Sequence, residues 1–178
     1  RLRAFCSHSH SPQINCEKYI RELFMLKILL CSLSIWFIIK TKFPSVKIIQ
    51  NQDNYGFAKG YNVALEQVKE SYYALVNSDI EVTEKWLEPI VNIFETDASI
   101  AIIQPKILDY KNKEYFEYAG AAGGYIDKYG YAYCRGRIFD SVEKDLGQYD
   151  DEKEIFWASG ACFFIRNELL LINVLACR

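Results

Sequence analysis

The stretch Tyr72-Tyr73-Ala74-Leu75-Val76-Asn77-Ser78-Asp79 decides how this chain reads. Its first five residues are an uninterrupted apolar run, the pattern of a central parallel strand covered on both faces. The polar triplet that follows stands at the carboxyl end of that strand, where open α/β sheets expose their ligand crevice. Alternation along an extended chain would put Asn77 and Asp79 on one side, so both could reach one object. One carboxylate and one amide oxygen suit a hard divalent cation such as Mg²⁺ or Mn²⁺ that also bridges phosphates. The competing reading, an Asn-Ser-Asp turn that caps the next helix, stays open on the triplet alone.

The same order continues on both sides. Upstream, Val46 to Ile49 reads as a short strand, Asn51 to Tyr55 as a turn-rich loop, and Phe57 to Val68 as a helix with Phe57, Tyr61, Ala64, Leu65 and Val68 on its buried face. The loop Asn54-Tyr55-Gly56-Phe57-Ala58-Lys59-Gly60-Tyr61-Asn62 combines a glycine for a tight turn, a helix start and a lysine, a combination that could hold an anion. An ordinary strand-to-helix turn explains it equally well. Downstream, Thr83 is placed to cap a helix carrying Trp86, Leu87, Ile90, Val91 and Phe94, with Pro89 as an irregularity. Ile100 to Ile103 reads as another buried strand closed by Gln104-Pro105. Beyond Lys106, glycines punctuate an aromatic stretch of hairpins and loops, and Ile155 to Ile165 reads as a last strand interrupted at Ser159-Gly160.

Composition narrows the classes. The 178 residues, 51% hydrophobic and 15% aromatic, fit one folded domain. With a formal charge of −2 and mixed charge signs there is no basic stripe, so nucleic acid is not an expected partner. The six cysteines, Cys6, Cys16, Cys31, Cys134, Cys162 and Cys177, lack metal or disulfide spacing and read as free thiols. His8 and His10 have no partner set. Leu23 to Ile39 is an apolar run broken by Lys27, at the lower limit for crossing a bilayer, with a buried strand or helix as the plainer reading. Arg135 and Arg137 could grip a phosphate or be a solvated pair. The acidic run from Asp140 to Glu154 reads as a solvated face.

Taken together, NxGFAxGxNxAL, the strand with NSD, the Trp-Leu helix, QPK and WASGA resemble the family 2 glycosyltransferases, especially the rhamnosyltransferase-like branch. The resemblance implies a partial GT-A fold, a Rossmann-like nucleotide-diphospho-sugar transferase architecture of class α/β, with a mostly parallel mixed sheet flanked by helices. It covers 43–170, with 1–42 an atypical N-terminal segment and 171–178 a divergent tail. It implies donor-site roles for Asn54, Gly56, Lys59, Asn62, Asn77, Ser78 and Asp79, with Asp79 the ligand of a divalent cation (Mg²⁺ or Mn²⁺). Trp157, Ser159, Gly160 and Ala161 match the segment bordering sugar and acceptor, although a tryptophan among Ile155, Phe156 and Phe163 is also a common core residue.

The partners implied are a nucleotide-sugar donor and a saccharide or lipid-linked acceptor, as in cell envelope polysaccharide biosynthesis. The implied location is cytoplasmic, with association at the inner face of the membrane left open. Asn77 stands where the family has the first Asp of its DxD-like triplet, a variation this branch tolerates. The family's opening strands with their Asn-rich turn and DNxSxD loop, and its later acidic motif that supplies the catalytic base, are not found. The expectation is therefore a domain incomplete at both ends, with donor binding kept and little turnover. The alternative is a noncatalytic remnant or interaction protein that keeps only the scaffold.

Overall fold

The computed structural model describes residues 2–5, 23–26 and 33–170. Its elements are β1 (Leu2–Phe5), β2 (Leu23–Leu26), α1 (Leu33–Lys42), α2 (Phe57–Leu65), β3 (Tyr72–Val76), α3 (Glu88–Thr96), β4 (Ile102–Pro105), β5 (Gly124–Ile126), β6 (Ala132–Cys134), β7 (Arg137–Ile138), β8 (Ser141–Val142), β9 (Lys153–Glu154), β10 (Cys162–Arg166) and α4 (Asn167–Leu170). Six strands form one sheet in the order β2-β3-β10-β4-β1-β9, and β5 to β8 form a second, antiparallel sheet.

Sequence and structure agree best at β3. All of Tyr72 to Leu75 are buried, and the two parities of the strand meet different helices. Tyr73 and Leu75 pack with Phe163 and Ile165 of β10 against Tyr61, Ala64 and Leu65 of α2. Tyr72 and Ala74 pack with Cys162 and Phe164 of β10 and with Ile103 against Ile90, Ile93 and Phe94 of α3. A strand buried on both sides needs an apolar residue at every position, which is why its run is unbroken.

The sheet differs from the expected mostly parallel one. β2 runs parallel to β3, and β1 parallel to β4, but β10 lies between β3 and β4 antiparallel to both, and β9 is antiparallel to β1. An apolar run such as Cys162 to Ile165 fills a central position in either direction, so hydrophobicity alone does not report orientation. Three smaller expectations are also corrected. Val46 to Ile49 forms no strand, although Ile49 still packs on the α2 side of the core. The segment before α3 is a turn, so Leu87 rather than Thr83 occupies the N-cap, and Pro89 sits in the first helical turn, where its missing N–H costs nothing. The last strand begins at Cys162, not Ile155. Within residues 1–42, β1 and β2 are four-residue strands, too short to show periodicity. His8, His10, Cys6, Cys16, Cys31 and Cys177 lie outside the described residues.

Arg166 ties the end of β10 to the end of α3. Its guanidinium donates to the carbonyls of Phe94 and Ile100 and lies over the rings of Tyr72 and Phe94. A cation there satisfies carbonyls left open at a helix C-terminus.

Two buried groups in this cluster make stability sensitive to alkali. Burial pushes the Cys162 thiol up to about 12, and Tyr72 is raised to about 12 by burial first and by its hydrogen bond to Glu95. In the unfolded chain both ionise at lower pH, so their contribution is intact below about pH 9 and is lost as pH rises toward the folded values. Denaturant titrations are expected to give a flat unfolding free energy from pH 7 to 8.5 and a loss of about 2 kcal/mol by pH 11. Cys162→Ala should flatten much of that slope; an unchanged slope would remove the thiol as its cause.

Candidate functional site

The loops that follow β3 and β4 at their carboxyl ends enclose a cleft of about 490 Å³ beside α3. Asn77 and Asp79 line it from the β3 side, Lys106, Asp109 and Lys113 from the β4 side, and Trp86 from the turn that leads into α3. This is the position expected of a ligand crevice in an open α/β sheet. The route to it differs from strand alternation, because the chain turns after Val76 and the Ile80 N–H donates to the Asn77 carbonyl at 3.4 Å. The turn still leaves Asn77 and Asp79 in the same cleft; Ser78 is not part of the lining.

The charged side chains of the cleft divide by what they already hold. Lys113 pairs with Glu81 at 3.0 Å across its rim. Asp109 accepts the backbone N–H groups of Lys111 and Asn112, which fixes the turn that follows. Lys106 is paired at 2.5 Å with Asp145 and 2.6 Å with Asp150. Glu117 contributes a buried carboxylate oxygen without a hydrogen-bond partner. Asp79 is exposed, and no hydrogen bond or ion pair among the described residues engages its carboxylate. The sequence reading missed Lys106, Asp109, Lys113 and Glu117, which become neighbours only when the β4 loop folds back over α3.

The WASGA segment reaches this cleft at one end only. Ala161 lines it, and its carbonyl accepts the Asn77 N–H at 2.8 Å. Ser159 is buried, its N–H donating to Gln104 Oε1 at 2.7 Å, while Gln104 Nε2 donates to the Gly120 carbonyl at 3.0 Å. Gly160, between them, is half-buried. Trp157 donates its indole N–H to the Tyr125 carbonyl at 2.9 Å and covers Gly124. A Cβ at Gly124 would lie 2.1 Å from the indole ring. Gly124→Ala is therefore expected to lower stability by about 2–3 kcal/mol through overpacking. Near-wild-type thermal unfolding of that variant would show that the indole moves freely.

Asn54, Gly56, Lys59 and Asn62 stand apart from the cleft lining, at the start of α2, which packs on the opposite face of the sheet from α3. Gly56 adopts φ +72° and ψ −170°, a conformation essentially limited to glycine, and its N–H donates to Asn54 Oδ1 at 3.1 Å. Lys59 lies over the Tyr55 ring at 4.9 Å, and Asn62 is exposed. The tight turn expected of Gly56 is therefore present.

Arg135 and Arg137 hold protein groups. Arg135 pairs with Asp151 and stacks on Tyr149, whereas Arg137 donates to the Phe139 carbonyl and stacks on Tyr118. The acidic run is likewise more than a solvated face: Asp145, Asp150 and Asp151 bind Lys106 and Arg135, and Glu143 accepts from the Tyr149 hydroxyl. Cys134 and Cys162 are buried free thiols, as expected of them. Among the described residues, no group of three or more His, Cys, Asp or Glu side chains is gathered for a metal. Among the same residues, no helix is long and apolar enough to cross a membrane.

Residues 35–171 match the family model described as glycosyl transferase family 2. No curated protein and no solved structure matches the chain.

Proposed function

Because the chain belongs to glycosyl transferase family 2, we propose that the cleft beside α3 binds the diphosphate of a nucleotide-sugar donor, with Asp79 as its metal-binding carboxylate. Membership brings glycosyl transfer and the GT-A nucleotide-sugar transferase fold. The observation that carries the finer reading is Asp79 itself, an exposed, unengaged carboxylate in a cleft where Glu81 is paired with Lys113, Asp109 caps a turn and Glu117 is half-buried.

The donor set fits a divalent ion carried by its ligand. Mg²⁺ and Mn²⁺ bound to nucleotides commonly take one or two protein carboxylates and complete their shell with phosphate oxygens and water. Asp79 and the Asn77 amide oxygen supply such a partial set. The ion, when bound, neutralises the charge that develops on a departing diphosphate. Lys113 adds a cation at the rim, and its exposed pair with Glu81 is weak enough to exchange for phosphate. By the resemblance alone, the Gly56 turn and Lys59, outside the cleft lining, would meet the nucleoside end, and Ala161, which lines the cleft, would border the sugar. The motif order favours the rhamnosyltransferase-like branch, with a saccharide or lipid-linked acceptor.

Calorimetric titration with UDP and dTDP, each with and without Mn²⁺, tests this reading. Binding that needs the ion is the expected result. Absence of binding in every arm would favour a scaffold without donor recognition.

A further inference from the structure

Between Leu23 and Gln52 the chain carries Lys27, Lys40, Lys42 and Lys47 and no acidic residue, although the whole chain has a formal charge of −2. Within that stretch α1 and the turn after it present apolar side chains outward. Phe37 is 62% exposed, Ile38 47%, Phe43 57% and Val46 47%. Lys40, Lys42 and Lys47 are exposed as well, and no ion pair to a described acid holds them. At about 100° per residue, Phe37, Ile38 and Thr41 share one face of α1, and Lys40 and Lys42 flank it on either side. The Thr41 hydroxyl donates to the Phe37 carbonyl, which removes its polarity from that face. The Phe43 N–H continues the helical bonding to Ile39, and the Val46 N–H closes a turn onto the Phe43 carbonyl, so all four apolar groups belong to one compact unit. The chain rejoins the core at Ile49.

We propose that Phe37 to Lys47 is a membrane-surface anchor that rests on anionic lipid. The occupant follows from complementarity: exposed apolar side chains set among lysines and free of carboxylates match acyl chains bordered by anionic headgroups. Lysine stems reach up from an apolar surface and leave their ammonium groups at phosphate level. A ten-residue helix is about 15 Å long, half the thickness of a bilayer core, so it lies on the surface instead of crossing it. The anchor is independent of whether the cleft binds nucleotide.

Co-sedimentation of the full chain with phosphatidylcholine vesicles, with and without a one-third share of phosphatidylglycerol, reads the anchor directly. Binding to the anionic vesicles, weakened in half-molar salt, is expected. Each lysine near an anionic surface changes partitioning about five-fold, so Lys40→Gln/Lys42→Gln/Lys47→Gln should weaken binding roughly a hundred-fold. The single Lys42→Gln, expected to lose about five-fold, serves if the triple variant does not fold. Phe37→Ser/Ile38→Ser should remove the salt-resistant part. The exposed lysines of the control Lys111→Gln/Lys128→Gln should leave binding unchanged. No binding to anionic vesicles, equal losses in the control, or parental binding by the triple variant would each overturn the proposal.

Discussion

Asp79→Ala is expected to abolish Mn²⁺-dependent binding of UDP or dTDP, weakening it by at least about a hundred-fold, or about 2.7 kcal/mol. Removing the charged member of the proposed two-residue ligand set leaves a neutral amide, which a hard cation holds poorly. The fold should be indifferent, because Asp79 is exposed and outside any described hydrogen bond. Such surface changes stay within about 0.5 kcal/mol, or a shift of about 2 °C in Tm. Asp79→Asn should fall between parent and alanine variant. Asn77→Asp, which adds a second carboxylate to the same cleft, should tighten the metal-dependent component. Calorimetry in matched buffers measures all four proteins, and metal-dependent binding that survives Asp79→Ala would place the ion elsewhere.

Lys106→Met is expected to lower stability by about 3 kcal/mol, which for a chain of this size lowers Tm by about 6–12 °C. The Lys106 side chain is 8% exposed and its Asp145 partner 13%, so this pair has little water to fall back on. Methionine preserves most of the stem that reaches toward Phe116, yet it leaves Asp145 without its cation. The penalty comes mainly from that stranded carboxylate, and the double variant Lys106→Met/Asp145→Asn should recover part of it. Scanning calorimetry of the single and double variants measures the coupling. A loss under about 1 kcal/mol would mean that water screens the pair as it does at a surface.

What was legible in the sequence had a local physical cause. Tyr72 to Val76 announced a strand because burial on both faces demands apolar residues throughout. α2 declared its face because Tyr61, Ala64 and Leu65 recur at helical spacing, although the helix ends at Leu65 and not at Val68. Gly56 implied a turn because few other residues accept its conformation. The losses came where the cause is distant. The direction of β10 depends on which strands flank it, and Cys162 to Ile165 would look the same in either orientation. The acids near Asp145 looked solvated because their cation, Lys106, is 39 residues away in sequence. β1 is held by pairing with β4 and β9, partners about a hundred or more residues along the chain, and four residues cannot advertise that. The cleft was half legible: its β3 wall could be read from one motif, while its β4 wall exists only after the loops close.

The position of β10 also has a temporal meaning. Among the described residues it is the only strand hydrogen-bonded to both β3 and β4, so β2-β3 and β4-β1-β9 share no ladder bonds without it. During synthesis no described strand can join these halves until Cys162 to Arg166 has been made, and any ribbon formed earlier keeps an unpaired inner edge. Closure of the sheet is therefore a late event in the life of each nascent molecule, and the waiting edges are where another chain could pair first.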